Sequence, residues 1–139
     1  MTLRVVIDTN VVISAILFGG TPGALIPLWK NGRIQPILGK DIFNEYLRVL
    51  AYPKFELTEN EIAYLLYQEL LPYFEVIDVT PEKTFVPRDP TDDKFICCAL
   101  KARAEMIISG DVHLLSLEKF GTIRVVTPAQ FLKLFLNTD

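Results

Sequence analysis

Four carboxylates in the sequence have the chemistry to hold a metal ion if folding brings them together: Asp8, Glu45, Asp93 and Asp111. Carboxylates that crowd into one site repel one another, so the site is stable only when protons or a cation neutralise part of the charge. Hard oxygen ligands without imidazole or thiolate select Mg²⁺ or Mn²⁺ rather than zinc or copper. We therefore expect Mg²⁺ or Mn²⁺ as the cofactor where these acids meet.

The first of these acids also has a simpler interpretation. Asp8 follows the run Val5-Val6-Ile7, which is typical of a buried strand, and it begins the triplet Asp8-Thr9-Asn10, whose residue types cap helices. The local prediction is a strand, a turn and a helix. Taken alone, Asp8 is explained equally well as a helix cap that satisfies free N–H groups of the first turn.

Length and composition indicate one domain over residues 1–139. The chain is 50% hydrophobic and 22% charged, and it has no repeat or Gly/Ser linker at which a second domain could begin. It shows no signal-peptide pattern and no apolar run long enough for a membrane span, so we expect a cytoplasmic protein. The adjacent Cys97 and Cys98 are predicted to be small core residues rather than a disulfide. A formal net charge of -3 argues against binding nucleic acid by broad phosphate neutralisation.

Strands and helices are predicted to alternate along the chain. Thr58 with Glu61, and Thr127 with Gln130, have capping-box spacing, and Thr21 is the predicted cap of an earlier helix. Besides the helix after Asp8, the predicted helices are 21–32, 40–55 (stopped by Pro53), 57–74, 91–105, 111–120 and 127–136. The predicted strands are 3–8, 33–39, 74–79, 106–110 and 122–126.

This alternation predicts an α/β fold, a three-layer α/β/α sandwich around a central, mainly parallel sheet. Pro36 lies in the second strand and favours an edge or irregular position for it. In a parallel sheet, the carboxyl ends of the strands and the amino ends of the following helices share one edge, where ligands bind. Asp8, Asp93 and Asp111 are predicted to reach that edge. Glu45 lies inside a predicted helix, and we expect it to converge with them.

The sequence around these acids resembles the four acidic motifs of the PIN domain. The motifs are VIDTNVVISA at Asp8, FNEYLRVL at Glu45, RDPTDDKFICCALKA at Asp93 and IISGDVHLL at Asp111. Their order and spacing cover essentially the whole chain. Among PIN proteins, the sequence is most similar to the single-domain ribonuclease toxins of prokaryotic toxin-antitoxin pairs, the virulence-associated protein C type.

The resemblance implies a role for each matching residue. Asp8, Glu45, Asp93 and Asp111 would be the catalytic and metal-binding acids, with Asn10, Asp92 and Ser109 in support. Asp92 is a close rival of Asp93 for the third acid, and Asp89 is a distant one. His113 stands near a position where some relatives carry a further acid, so the number of metal ions stays open.

The resemblance also implies a function. It predicts a metal-dependent endoribonuclease that cleaves RNA phosphodiester bonds, forms a homodimer and is controlled by a small antitoxin protein. Bound Mg²⁺ would attract phosphate locally, which answers the objection from net charge. Two alternatives remain: an inactive PIN-fold module that binds RNA or protein, and a haloacid-dehalogenase-like phosphatase. Such phosphatases usually carry a second aspartate where this chain has Asn10.

The helix predicted over residues 57–74 has a wide apolar surface. Either the core of the chain or a partner could cover that surface, and the sequence favours neither.

Overall fold

Six strands form one sheet in the part of the chain that this computed structural model describes, residues 2–79 and 93–136, with the backbone alone described for Asp93. The order across the sheet is β3-β2-β1-β4-β6-β5, and every adjacent pair is parallel except β5 with β6. The strands are β1 (Leu3–Ile7), β2 (Ile34–Gly39), β3 (Glu75–Ile77), β4 (Met106–Ile108), β5 (Lys119–Phe120) and β6 (Ile123–Val126).

Helices alternate with these strands along the chain. They are α1 (Thr9–Phe18), α2 (Gly20–Gly23), α3 (Leu25–Lys30), α4 (Lys40–Leu50), α5 (Glu59–Tyr64), α6 (Asp93–Ala102), α7 (Val112–Leu115) and α8 (Pro128–Leu136). A 3-10 turn (Pro53–Phe55) follows α4, and a π-helical segment (Leu65–Leu70) continues α5. Within the described ranges, no single helix has the length and apolarity to cross a membrane. One helix pair, Thr9–Phe18 with Gly20–Lys30, passes by length and composition only and is bent by 89°.

The central strands are buried on both faces. Neighbouring side chains of a strand point to opposite sides of the sheet. Val5, Val6 and Ile7 of β1, and Ile107 and Ile108 of β4, are nevertheless all 0% exposed. Helices must therefore cover both sides, and α6 provides part of that cover through its contacts with β1, β2 and β4. The predicted three-layer α/β/α sandwich with a mainly parallel sheet is confirmed.

Both predicted capping boxes are present. The Thr58 hydroxyl accepts a hydrogen bond from the Glu61 N–H at 3.1 Å, and the Glu61 carboxylate accepts one from the Thr58 N–H at 2.8 Å. Thr127 and Gln130 form the same reciprocal pair at the start of α8. Each box satisfies two N–H groups that the first turn of a helix leaves without a partner.

The helix predicted over 21–32 with Thr21 as its cap is wrong. The structure has two short helices there, and α2 starts at Gly20 after Gly19, so Thr21 lies inside the helix. Gly19 has a φ of 76°, a conformation that favours glycine. The chain therefore turns at this glycine between α1 and α2, which leaves no role for a Thr21 cap.

The edge or irregular position favoured by Pro36 is also wrong. β2 lies between β1 and β3, and Pro36 pairs with Val5 of β1. Pairing with β3 begins only at Ile37 with Glu75. The missing N–H of Pro36 therefore does not interrupt the ladder to β3, and a proline is tolerated in an interior strand.

The predicted helix over 111–120 is wrong in its second half. α7 ends at Leu115, and Lys119–Phe120 forms β5, antiparallel to β6. Glu118 and Gly121 have φ angles of 55° and 61° on either side of that short strand. These left-handed residues turn the chain out of the helix and then into the hairpin with β6.

The apolar face of the helix predicted over residues 57–74 is covered largely by the core of the chain. Ile62, Leu66 and Leu70 are buried in the core, whereas Tyr64 and Tyr67 are each 56% exposed. The two tyrosines therefore remain as the accessible part of this surface.

Candidate active site

The candidate site lies where the strand order reverses. The chain leaves β1 for β2 and β3 on one side, while β4 lies against the other side of β1. Ligands of open α/β sheets bind outside the carboxyl ends of strands at such a point. Ile7 pairs with Ile108 at the ends of β1 and β4, so the next residues, Asp8 and Ser109, leave the sheet side by side.

Asp8 is a buried carboxylate held by a serine. Its side chain forms no capping hydrogen bond of normal geometry with α1, although the residue occupies the N-cap position. Instead, the Ser109 hydroxyl donates a hydrogen bond to Asp8 Oδ2 at 2.6 Å. Asp8 is 5% exposed and Ser109 is 0% exposed. The backbone N–H of Asn10 nevertheless lowers the pKa of Asp8, so the carboxylate still interacts with the first turn of α1. Its well-formed hydrogen bond comes from Ser109, which a simple capping role does not explain.

The electrostatic surroundings of Asp8 disfavour its negative charge. Burial raises the pKa of the Asp8 carboxyl above its ordinary value, and the hydrogen bond from Ser109 opposes this shift only in part. The negative charges of Glu45 and Asp111 raise the same pKa further. The three acids therefore lie close enough to interact, and a cation among them would relieve an unfavourable charge.

Asp111 caps the short helix that follows β4. Its Oδ1 accepts hydrogen bonds from the N–H groups of His113 at 2.8 Å and Leu114 at 3.3 Å. The backbone N–H of Asp111 donates to the Ser109 hydroxyl oxygen at 2.9 Å. One carboxylate oxygen of Asp111 is therefore committed to α7, and Ser109 links Asp111 to Asp8.

Glu45 is oriented by a hydroxyl on one oxygen and by cations on the other. Its Oε1 accepts a hydrogen bond from the hydroxyl of Thr9, a residue that is 1% exposed. Its Oε2 lies 2.7 Å from Lys94 Nζ and 3.4 Å from Arg48 Nη2. The side chains of Glu45 and Lys94 are 17% and 15% exposed, whereas that of Arg48 is 66% exposed.

Two of these contacts were not identified from the sequence. In the sequence, Lys94 is only one of several charged residues that flank the acidic motifs, and Thr9 is only part of a capping triplet. The position of Thr9, directly after a strand-end aspartate, is the signal that could have pointed to it. Lys94 offered no such signal because its contact with Glu45 depends on how α6 packs beside α4.

The structure describes only some of the remaining predicted site residues. Asp93 begins α6, and its neighbour Lys94 reaches Glu45, so the start of α6 lies beside the site. Asn10 is exposed on the first turn of α1. The side chain of Asp93 and the whole of Asp92, like Asp89, lie outside the described residues.

The chemical type of the donor atoms at the candidate site suits a hard divalent cation. Asp8, Glu45 and Asp111 present carboxylate oxygens, with a hydroxyl from Ser109 among them. Among the side chains described, however, no group of three His, Cys, Asp or Glu residues is arranged to hold a metal ion. The Glu45 carboxylate contacts Lys94 and Arg48 instead.

Comparison with known proteins places the chain in a family. The PIN domain family matches residues 4–113. The uncharacterized protein MJ1680 of Methanocaldococcus jannaschii is 34% identical over an alignment that covers 96% of this chain and 92% of that protein. The structure of the PIN domain endonuclease Utp24 is similar with a TM-score of 0.48 and 19% identity, over 88% of this chain and 82% of that one.

The chain belongs to the PIN domain family, because the match spans most of its length. The predicted family is thus confirmed, and membership supports nuclease activity, a hydrolase reaction. It gives the haloacid-dehalogenase alternative no support.

Proposed function

We propose that this PIN-domain protein is a metal-dependent endoribonuclease that hydrolyses phosphodiester bonds in RNA. The observation that carries the proposal is the buried Asp8 carboxylate, held by Ser109 where the strand order reverses. Glu45 and Asp111 lie close enough to raise the pKa of Asp8. A buried acid whose charge is disfavoured by neighbouring acids is typical of a functional site.

The cofactor in this proposal is Mg²⁺ or Mn²⁺, held by Asp8, Glu45, Asp93 and Asp111. When bound, the ion supplies Lewis acidity and positive charge toward a phosphodiester group. The chain itself prepares the site, since Ser109 fixes one oxygen of Asp8 and Thr9 fixes one oxygen of Glu45. Lys94 and Arg48 add positive charge where a phosphate must approach these acids.

The test compares two aspartate variants on an end-labelled RNA. Asp8→Asn is expected to lower the cleavage rate roughly 100-fold or more, because losing a metal ligand costs more than losing its supporting partner. Asp41→Asn is the matched control, since Asp41 is an exposed acid in the first turn of α4. Cleavage with Mg²⁺ or Mn²⁺ is expected to stop in EDTA. Full activity of folded Asp8→Asn, or cleavage undiminished in EDTA, would refute the proposal.

Asp111 allows its charge to be separated from its capping role. Asp111→Asn keeps an oxygen that can accept from the His113 and Leu114 N–H groups, whereas Asp111→Ala removes it. We expect both variants to lose cleavage, but only Asp111→Ala to lose about 1 kcal/mol of stability. A fully active Asp111→Asn protein would remove Asp111 from the metal site.

The inactive-module alternative makes a different prediction in the same assay. A folded wild-type protein that binds RNA but leaves it uncut with either ion would favour a binding module over an enzyme.

We also propose that the chain is the toxin of a toxin-antitoxin pair, acts in the cytoplasm and forms a homodimer. The resemblance of its motifs to such toxins supports this role, and the exposed Tyr64 and Tyr67 give a partner an apolar surface to cover. Expression of the chain alone is expected to arrest growth, and Asp8→Asn is expected to abolish the arrest. Co-expression of a small protein encoded beside it should restore growth. Harmless expression of an active nuclease would contradict the toxin role, and a monomeric mass would contradict the dimer.

A further inference from the structure

A groove runs from the candidate active site along the outer side of α1. Its volume is about 610 Å³, within the range of roughly 300–1,000 Å³ that small-molecule sites occupy. We term it the α1 groove. Its lining includes Asn10, Ser14 and Phe18 of α1, and Tyr52, Lys54 and Phe55 beyond the end of α4.

The spacing of the lining residues connects the α1 groove to the acids. Asn10, Ser14 and Phe18 are four residues apart, so they share one face of α1. Glu45 of the site and Val49 of the groove share one face of α4 in the same way. At about 1.5 Å per residue, the groove extends roughly 12 Å from Asn10 to Phe18. A polymer whose phosphodiester group lies at the acids would therefore continue into it.

Exposed aromatic rings line the far part of the groove. Phe18 is 71% exposed, and its ring centroid lies 6.0 Å from that of Phe55 at an interplanar angle of 50°. Tyr52, on the same lining, is 41% exposed. Aromatic faces of this kind stack with unpaired bases, and each such contact strengthens binding about 5- to 100-fold.

One cationic side chain lies on the aromatic surface of the groove, and another lies beside the acids. Lys54 Nζ is 5.1 Å from the centroid of the Phe55 ring. Arg48, with a side chain 66% exposed, lies beside Glu45 at the active-site end. A phosphate beside a stacked base would meet Lys54, and Arg48 would attract the strand nearer the acids, although the net charge of the chain is -3.

We propose that the α1 groove binds an unpaired nucleotide of single-stranded RNA, with its base stacked on Phe18 and Phe55 and a flanking phosphate at Lys54. The inference rests on the proposed ribonuclease function and adds a subsite for the nucleotide strand beyond the acids. Bases inside a duplex are stacked and paired, so only an unpaired segment can present one to the groove. The lysine among these rings suits a nucleotide strand better than the apolar face of a protein helix.

The test measures RNA binding without cleavage. Asp8→Asn protein in EDTA is titrated into a fluorescein-labelled, unstructured single-stranded RNA, and fluorescence anisotropy gives the affinity. Adding Phe18→Ala or Phe18→Leu should weaken binding about 5- to 100-fold, whereas Phe18→Tyr, which keeps a ring, should bind as the parent does. Leu136→Ala is the matched control, because Leu136 is 59% exposed at the end of α8.

Two further measurements separate stacking from other effects. An abasic RNA should bind the parent protein more weakly than intact RNA does, and this measurement needs no Phe18 variant. In Phe18→Ala, the abasic and the intact RNA should bind with equal affinity. Lys54→Ala should reduce the slope of log affinity against log salt concentration by about 1, the contribution of one phosphate contact. Lys101→Ala, at an exposed lysine in the last turn of α6, should leave that dependence unchanged.

Affinity that is equal for parent and Phe18→Leu, or for intact and abasic RNA, would overturn the proposal. Unchanged affinity together with a change from dimer to monomer in Phe18→Ala would assign the groove to a second copy of the chain. The test of the groove and the test of the nuclease are independent. A wild-type protein that never cleaves RNA, but loses affinity in Phe18→Ala, would contradict the nuclease proposal and support the groove. A wild-type protein that cleaves RNA, but binds it equally well as Phe18→Ala, would support the nuclease proposal and contradict the groove.

Discussion

Ser109→Ala tests the hydrogen-bond network on which the candidate site depends. The Ser109 hydroxyl donates to Asp8 at 2.6 Å and accepts from the Asp111 N–H at 2.9 Å, and the residue is 0% exposed. A hydrogen bond to a charged group contributes about 1.5–3 kcal/mol and a neutral one about 0.5–1.5 kcal/mol. Water cannot readily replace a donor at so buried a position. We therefore expect Ser109→Ala to lower the free energy of unfolding by about 2–4 kcal/mol near neutral pH.

The pH dependence of this loss gives a second readout. The Ser109 hydrogen bond lowers the pKa of Asp8, which means that it stabilises the ionised carboxylate. Its contribution is present above the folded-state pKa of Asp8 and fades as the pH falls through that pKa. The loss should therefore be larger at about pH 7 than at about pH 4, near the ordinary pKa of aspartate.

Urea unfolding in EDTA measures both quantities. Ser116→Ala is the matched control, because the Ser116 hydroxyl donates to the His113 carbonyl at 2.8 Å on the exposed surface. That variant should change stability by less than about 0.5 kcal/mol. A Ser109→Ala protein as stable as Ser116→Ala at neutral pH would show that the Asp8–Ser109 contact does not exist in solution.

Three further predictions concern the charges of the site. Without metal, Asp8→Asn should be more stable than wild type at neutral pH. Burial raises the pKa of Asp8, so ionisation of this carboxyl costs stability as the pH rises. Equal urea midpoints for the two proteins would contradict this prediction. Lys94→Met should lower the free energy of unfolding by about 1–3 kcal/mol, because it breaks a largely buried ion pair with Glu45. Arg48→Met, at an exposed side chain, should lower it by less than about 1 kcal/mol. Equal free energies of unfolding for the two variants would contradict this ranking. Asp93→Asn should abolish Mn²⁺ binding in calorimetry while Asp92→Asn keeps it, and the opposite result would identify Asp92 as the ligand.

The order of the elements was predictable because its signals are local. The capping pairs Thr58 with Glu61 and Thr127 with Gln130 lie within single turns, and both form as expected. Pro36 was misleading because its tolerance depends on where β3 begins to pair, which is a property of the sheet rather than of the strand.

The site was predictable in outline but not in its contacts. Asp8 and Asp111 both follow a strand and precede a helix, yet the well-formed capping hydrogen bonds are made by Asp111, whereas the well-formed hydrogen bond to Asp8 comes from Ser109. Residue type alone cannot make that distinction. The ion pair of Glu45 with Lys94 likewise depends on the packing of two helices that are far apart in sequence. The catalytic and metal-binding roles of the four acids remain predictions.

Cleavage of a circular single-stranded RNA tests the central claim most directly, because only an endonuclease can open a circle. The purified chain should linearise the circle with Mg²⁺ or Mn²⁺, and it should leave the circle intact in EDTA. Folded Asp8→Asn should leave it intact under all of these conditions. A circle that stays closed with wild-type protein and either ion, or that is opened equally well by Asp8→Asn, would contradict a carboxylate-based RNA endonuclease.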